Sequence, residues 1–326
     1  VSDSFGPFPG APRRAPAEES RTPIDPLTER DDVLAAFQIE GEAVRGRIAR
    51  LGGVIDEILG AHEYPDAVAN LLGEAVLVAA LVGHSLKFDG KLIVQASGDG
   101  PVRLLVADYV TGGGLRGFAH FDAERVREVE LDVRRPGPSH LLGDAALAMT
   151  IDRGQDFDRY QSLVSLEGST LAEAAELYFE RSEQVPTRLA LAVARGEGGG
   201  RWRAGGALLQ QVAADDARGD TAAAWERSAV LFASLTPQEL VDPDLSMARV
   251  LYRLFHEDGV RVFPPTALER RCGCSRDRIA RVLASFPSAD VVAMAEGDGA
   301  VRVTCEYCNQ RFRFTLPDIE AARGTG

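Results

Sequence analysis

Four cysteines are the residues of this chain best suited to do chemistry: Cys272 and Cys274 form a C-x-C, and Cys305 and Cys308 form a C-x-x-C thirty residues further on. They are all the cysteines in 326 residues, so sulfur is used locally, as a site. The spacing predicts a tetrathiolate zinc site, because zinc takes four ligands tetrahedrally at about 2.3 Å per thiolate and two close pairs on separate turns can supply them. Gly273 lets the first turn close tightly. The competing chemistry, a pair of structural disulfides in a secreted protein, requires an export signal. The first 26 residues instead carry six prolines and a basic pair, Arg13-Arg14, with no apolar run behind it. Residues 1–30 therefore read as a disordered, proline-rich extension.

The surroundings of the cysteines are also distinctive. From residue 261 onward there are ten Arg against eight Asp plus Glu, about +2, whereas the whole chain carries −13 and the remainder therefore about −15. Arg270, Arg271, Arg276 and Arg278 flank the first pair, and Arg302, Arg311 and Arg313 the second. A zinc tetrathiolate has a formal charge of −2, which guanidinium groups offset while favouring thiolate over thiol. A solvated charged face and a constitutive zinc-ribbon module binding nucleic acid or a protein partner are the other readings. The small local charge and the acidic remainder argue against nucleic acid. Gly112 to Gly117 matches G-x-G-x-x-G, but the residues after it read as a strand where a dinucleotide site needs a helix, so a hairpin turn is expected. Phosphate-loop and serine-hydrolase motifs are absent, and His62, His84, His120, His140 and His256 have no ligand spacing. No catalytic residues are assigned, and no enzyme activity is expected.

The elements that must position the cysteines follow from periodicity. Apolar content of 45% with 26% charged residues belongs to a globular chain of about two domains. Val33, Leu34, Phe37, Ile39 and Val44 give an ambiguous period, compatible with a short helix leading into a strand. Leu71 to Leu86 reads as a buried helix, and no membrane span is expected. KLIVQAS, VRLLVADYV and LRGFAHF between Lys91 and Phe121 are β-rich runs separated by turn chemistry, an antiparallel signature. Strands are expected at 148–152 and 162–166, a helix opened by the capping box Thr170/Glu173 and running through Arg181, and a hairpin from 188–194 and 202–212. This gives an α+β fold with a mainly antiparallel N-terminal domain at 31–212. Ala224 to Leu235 and Met247 to Phe255 are apolar helical stripes, and Thr236-Pro237-Gln238-Glu239 signals a helix start between them. Residues 213–260 thus form a helical linker, opened by the acidic DDARGD, and 261–320 a small zinc-binding domain. The linker's apolar faces must be buried against something or bind something, and are expected to be covered only while the zinc domain is folded, with Trp225 largely buried.

At these residues the chain resembles the heat shock protein 33 family of redox-regulated holdase chaperones. The resemblance rests on CGCS and VTCEYCNQRFRF around the cysteines, on YFERSEQVPTRL at 178–189, on RYQSLVSLEG at 159–168 and on AGGALLQ at 204–210, and covers 31–323. It implies that Cys272, Cys274, Cys305 and Cys308 hold zinc when reduced, and that peroxide with heat, or hypochlorous acid, forms two local disulfides, releases the metal and unfolds the linker. It further implies a cytoplasmic bacterial protein that dimerises on activation, holds unfolding or misfolded clients without ATP, and passes them to the DnaK system. The proline-rich extension departs from the family pattern.

The physics permits such a switch. Apparent zinc binding in small domains is worth about 10–16 kcal/mol of folding energy. Pairing Cys272 with Cys274 and Cys305 with Cys308 would close loops worth only about 1.5–2 kcal/mol each, without tying the two turns together. Cross-pairing would keep them tied, and the spacing itself permits all three connectivities.

Overall fold

The computed structural model describes residues 31–40, 42–85, 89–154, 158–166, 170–212 and 221–323. The extension 1–30 and the acidic segment 215–220 lie outside them. Its elements run β1 (Val33–Ile39), β2 (Val44–Leu51), α1 (Gly53–Leu59), α2 (Asp66–Ser85), β3 (Lys91–Gly98), β4 (Val102–Val110), β5 (Gly114–Phe121), α3 (Ala123–Asp132), α4 (Pro138–Leu142), β6 (Ala145–Asp152), β7 (Tyr160–Ser165), α5 (Leu171–Tyr178), β8 (Thr187–Arg195) and β9 (Trp202–Gln211). There follow α6 (Thr221–Phe232), α7 (Pro237–Val241), α8 (Met247–Phe255), β10 (Val260–Val262), β11 (Thr266–Ala267), β12 (Glu269–Arg270), α9 (Arg276–Ala284), α10 (Ser288–Met294), β13 (Ala300–Thr304), β14 (Arg311–Thr315) and α11 (Leu316–Arg323). The fold is α+β, with pairing antiparallel except between β12 and β5.

Helix α2 is apolar nearly all round and is accordingly buried, as the sequence predicts. It lies between two sheets, one ordered β10-β1-β2-β9-β8 with β11 also on β1, the other β12-β5-β4-β3-β6-β7. Among the described residues it alone is long and apolar enough to cross a membrane, and 78% of its apolar window is buried in this core.

The first sheet is covered on both faces, which explains a failed expectation. Alternate residues of a strand point to opposite sides. Leu34, Ala49, Leu51, Ala204 and Leu208 face α2, while Phe37, Ile39, Val44, Ile48 and Leu209 face α6, α7 and α8. A strand buried on both faces loses the polar half of its alternation. Residues 33–44, read as a helix leading into a strand, are therefore a strand, a turn and the start of a second strand.

The linker helices are covered by this sheet and not by the cysteine-bearing lobe. Phe232, Leu240, Val250, Leu254 and Phe255 share one core with Phe37 and Ile48. Gly205 of β9 admits the Leu240 carbonyl where a Cβ would come within 2.0 Å of it. Buried Arg50 donates to the carbonyls of Glu239 (3.2 Å), Leu240 (3.2 Å) and Leu245 (2.5 Å), satisfying the C-terminal end of α7. Trp225 is half-buried at the edge of this core, less than its stripe suggested, whereas Trp202 is buried. Both capping boxes form, at Thr170/Glu173 and Thr236/Glu239.

Residues 260–270, placed by sequence almost wholly with the cysteines, run instead as a strap along the core. β10 and β11 pair with β1, Leu268 is buried in the α2 core, and β12 pairs with β5. The strap crosses the β4–β5 turn at Gly113, where a φ of +104° and the 2.1 Å at which an added Cβ would meet the Ala267 carbonyl exclude a side chain. The false dinucleotide motif is thus a hairpin turn, as expected, and also the seat of the strap.

Candidate metal centre

The strap delivers the first cysteine pair. Arg271 N–H donates to the Leu115 carbonyl (2.8 Å), so Cys272 leaves directly from the edge of the second sheet. Ser275 caps α9 by accepting from Arg278 N–H (3.2 Å), which fixes the other side of Cys274. The second pair occupies the tip of the β13–β14 hairpin. There Cys305 N–H donates to the Gln310 carbonyl (2.9 Å) and Asn309 N–H to the Cys305 carbonyl (2.8 Å), with Asn309 left-handed at φ 57°. Asn tolerates that conformation through its short polar side chain.

The two turns bring all four sulfurs within 4.8 Å of one another. Sγ–Sγ distances are 3.3 Å for Cys272–Cys274, 3.6 Å for Cys272–Cys305 and 3.3 Å for Cys274–Cys308. A disulfide needs about 2.05 Å. A tetrahedron of thiolates about 2.3 Å from a central ion places its sulfurs about 3.8 Å apart. The four free, half-buried thiols therefore form a cluster that could hold a metal ion, with a donor set compatible with zinc.

Their protonation supports that fit. Burial opposes ionisation of Cys272, but the Cys274 backbone N–H and the neighbouring thiols more than offset it, so its pKa falls below the ordinary thiol value. Burial pushes Cys274 and Cys308 the other way, and for Cys274 the hydrogen bonds to its neighbours add to it. Ionising one sulfur in so close a group penalises the next, and a dication among them removes that penalty.

The flanking arginines are mostly committed to carboxylates. Arg276 bonds Asp318 (3.0 Å), Arg302 bonds Glu296 and Asp298, Arg313 bonds Asp298 (3.2 Å), Arg270 lies 3.6 Å from Glu57, and Arg271 bonds Glu269. Arg278 donates to the Gly273 carbonyl (3.3 Å). Nothing in the spacing pointed to Arg116 of β5, which lines an apolar cleft of about 250 Å³ with Cys272, Cys274, Cys305 and Ile279. It pairs with buried Asp108, Nε to Oδ2 at 2.7 Å. His62, to which its spacing assigns no role, holds its Nε2 2.6 Å from the Glu306 carbonyl inside the C-x-x-C turn. Its partner is backbone, not sulfur.

Comparison with known proteins places this geometry. The family profile described as Hsp33 protein matches residues 32–315. The 33 kDa chaperonin of Caulobacter vibrioides is 53% identical over 289 residues, covering 88% of this chain and 96% of that protein. The 33 kDa chaperonin of Azotobacter vinelandii is 41% identical over 294 residues, covering 88% and 93%. The crystal structure of the 33 kDa chaperonin, a heat shock protein 33 homolog, from Thermotoga maritima superposes with a TM-score of 0.75 over 90% of this chain and 98% of that one. At 22% identity that last likeness is one of fold.

Proposed function

The chain belongs to the Hsp33 family, and from that premise we propose that it is an ATP-independent holdase chaperone whose client-binding surface is released by oxidation of its four cysteines. Cys272, Cys274, Cys305 and Cys308 are the ligands of one zinc ion in the reduced protein. Bound there, zinc supplies a four-way cross-link between two turns that the chain otherwise leaves independent. The observation that carries the reading is the strap: from α8 it runs through β10, β11 and β12 straight to Cys272, so the linker and the sulfur centre are joined by eleven residues laid on the core.

Oxidation closes Cys272–Cys274 and Cys305–Cys308. Each bond takes two electrons from two thiolates, and a peroxide-class oxidant accepts them with two protons drawn from water, giving two waters; the neutral disulfides would no longer hold the ion. The closed loops span three and four residues, which constrains each turn but not their separation. The lobe from Cys272 onward then loses its cross-link, the strap its anchored end, and the linker at 213–260 its tether. Release of α6, α7 and α8 exposes Phe232, Leu254 and Phe255 together with Phe37, Ile39 and Ile48 of the sheet beneath. An apolar surface of that kind binds segments of unfolding proteins. On the same premise the protein acts in the bacterial cytoplasm, is dimeric when oxidised, and hands clients to the DnaK system after reduction.

Light scattering from a thermally aggregating client tests this. The oxidised, zinc-free protein should suppress aggregation at near-equimolar ratio and the reduced, zinc-loaded protein should not. Equal protection by both forms would sink the switch. Binding confined to the zinc-loaded form would favour a constitutive zinc-ribbon module.

A further inference from the structure

The C-x-x-C turn touches the core through a side chain that is not a ligand, and we infer that Tyr307 is the positioning residue that docks the cysteine centre on the second sheet. Tyr307 lies between Cys305 and Cys308. Its ring meets Phe118 of β5 edge-on, with centroids 4.7 Å apart at 71°. The Arg116 guanidinium sits 3.9 Å from the ring centroid on its face. Arg116 is in turn held by Asp108, which is only 1% exposed, through contacts of 2.7 and 2.5 Å.

These receiving residues lie on the face of the second sheet turned away from α2. Asp108 stands opposite Arg116, and Val106 opposite Phe118, in the β4–β5 register. Their neighbours Ala107, Leu105 and Ala119 point the other way, into the main core. Phe118 is nonetheless only 8% exposed. An aromatic edge contact and a cation over a ring face are each modest attractions, but both converge on one side chain here. The His62 contact to the Glu306 carbonyl adds a second hold one residue away.

The position of the ring follows the shape of the turn that bears it. While Cys305 and Cys308 both point at the first pair, the ring is aimed at β5. Drawing those two sulfurs together into a local disulfide reshapes the turn, and the ring loses its seat. The docking role rests on the chaperone reading only for its consequence, that undocking frees the strap and linker. The contact stands on the geometry alone.

Hydrogen exchange with a parallel zinc assay tests it on the full reduced chain. In Tyr307→Ala the strap amides that donate to the core, Leu268 to Asp32, Glu269 to Gly113 and Arg271 to Leu115, should exchange about tenfold faster, the scale set by losing two such ring contacts. Zinc should remain at one per chain. Tyr307→Phe keeps the ring and should match the parent. Phe118→Ala approaches the contact from the core side, away from the ligands, and should accelerate the same amides. Unchanged exchange in both alanine variants with zinc retained would overturn the docking role. So would zinc loss in Tyr307→Ala beside a silent Phe118→Ala, which would assign the ring to the metal turn alone. Client protection by the oxidised parent chain is measured alongside: its absence would sink the chaperone reading and leave the exchange result to decide the docking role.

Discussion

Around α2 the chain buries Leu72, Val76 and Leu81 against Leu92 and Leu105 of one sheet and Leu51 and Leu208 of the other, one continuous core spanning two sheets and several helices. From Cys272 onward the cysteine lobe has seven buried apolar residues among those described: Ala280, Leu283, Val291, Ala300, Val301, Phe314 and Ile319. A core so small is marginal without a staple. The contrast separates two kinds of folding. The core is stabilised by area removed from water, which no oxidant changes, whereas on the proposed reading the lobe depends on sulfur chemistry that an oxidant changes directly. The linker lies between these cases, seated on the core but continuous with the strap.

The largest effect expected from this contrast follows loss of the ligands. In a Cys305→Ser, Cys308→Ser double variant, zinc should fall well below one per chain, and amides from 276 to 323 should exchange as in an unfolded segment, since about 10–16 kcal/mol of binding energy is removed. Strands β3 to β6 should keep their protection. Zinc retained at one per chain, or loss of protection in those strands, would erase the distinction between the regions.

A smaller effect probes the linker. Arg50→Ala leaves the carbonyls at the end of α7 without their donor, and hydrogen bonds from a charged group contribute about 1.5–3 kcal/mol each, not additively. Docking of α6 to α8 should weaken by about 3 kcal/mol while the α2 core is unmoved. Trp225 reports it: in a Trp202→Phe background, emission should red-shift at a denaturant concentration below the main transition. The shift should be moderate, because Trp225 is already half-buried. A single transition moving as a whole would show linker and core to be one cooperative unit.

What could be read from sequence divides along the same line. The cysteine pairs, the capping boxes at Thr170 and Thr236, the largely apolar α2 and the β3–β5 meander carry local signals, and each is where its residues placed it. Residues 33–44 misled because strands buried on both faces have no polar alternation. The strap at 260–270 was illegible for a different reason. Its strands are two or three residues long, and only pairing with β1 and β5, distant in sequence, defines them. Arg116 and His62 were missed because their partners lie in the C-x-x-C turn, far along the chain.

The smallest effect separates the regions by pH. Glu74 lies on α2, and burial pushes its carboxyl up to about 7. The folded value then exceeds the ordinary one of 4.5. Between those limits the folded chain binds more protons than the unfolded chain, so the contribution is fully present below about 4.5 and is lost as pH rises through about 7. The full difference is worth about 3 kcal/mol, and residual exposure of the side chain reduces it to about 2. On the proposed zinc reading the cysteine lobe should have the opposite slope, because thiolate ligands must be deprotonated and acid would release the metal. Denaturant titrations of the zinc-free protein at pH 5 to 8 isolate the core. Its stability should decline across that range, and Glu74→Gln, which keeps the shape and removes the charge, should flatten the decline by raising stability at pH 8 with little change at pH 5. An undiminished slope in Glu74→Gln would place the titrating group elsewhere. A core that instead gained stability as pH rose would remove the opposition between the two regions.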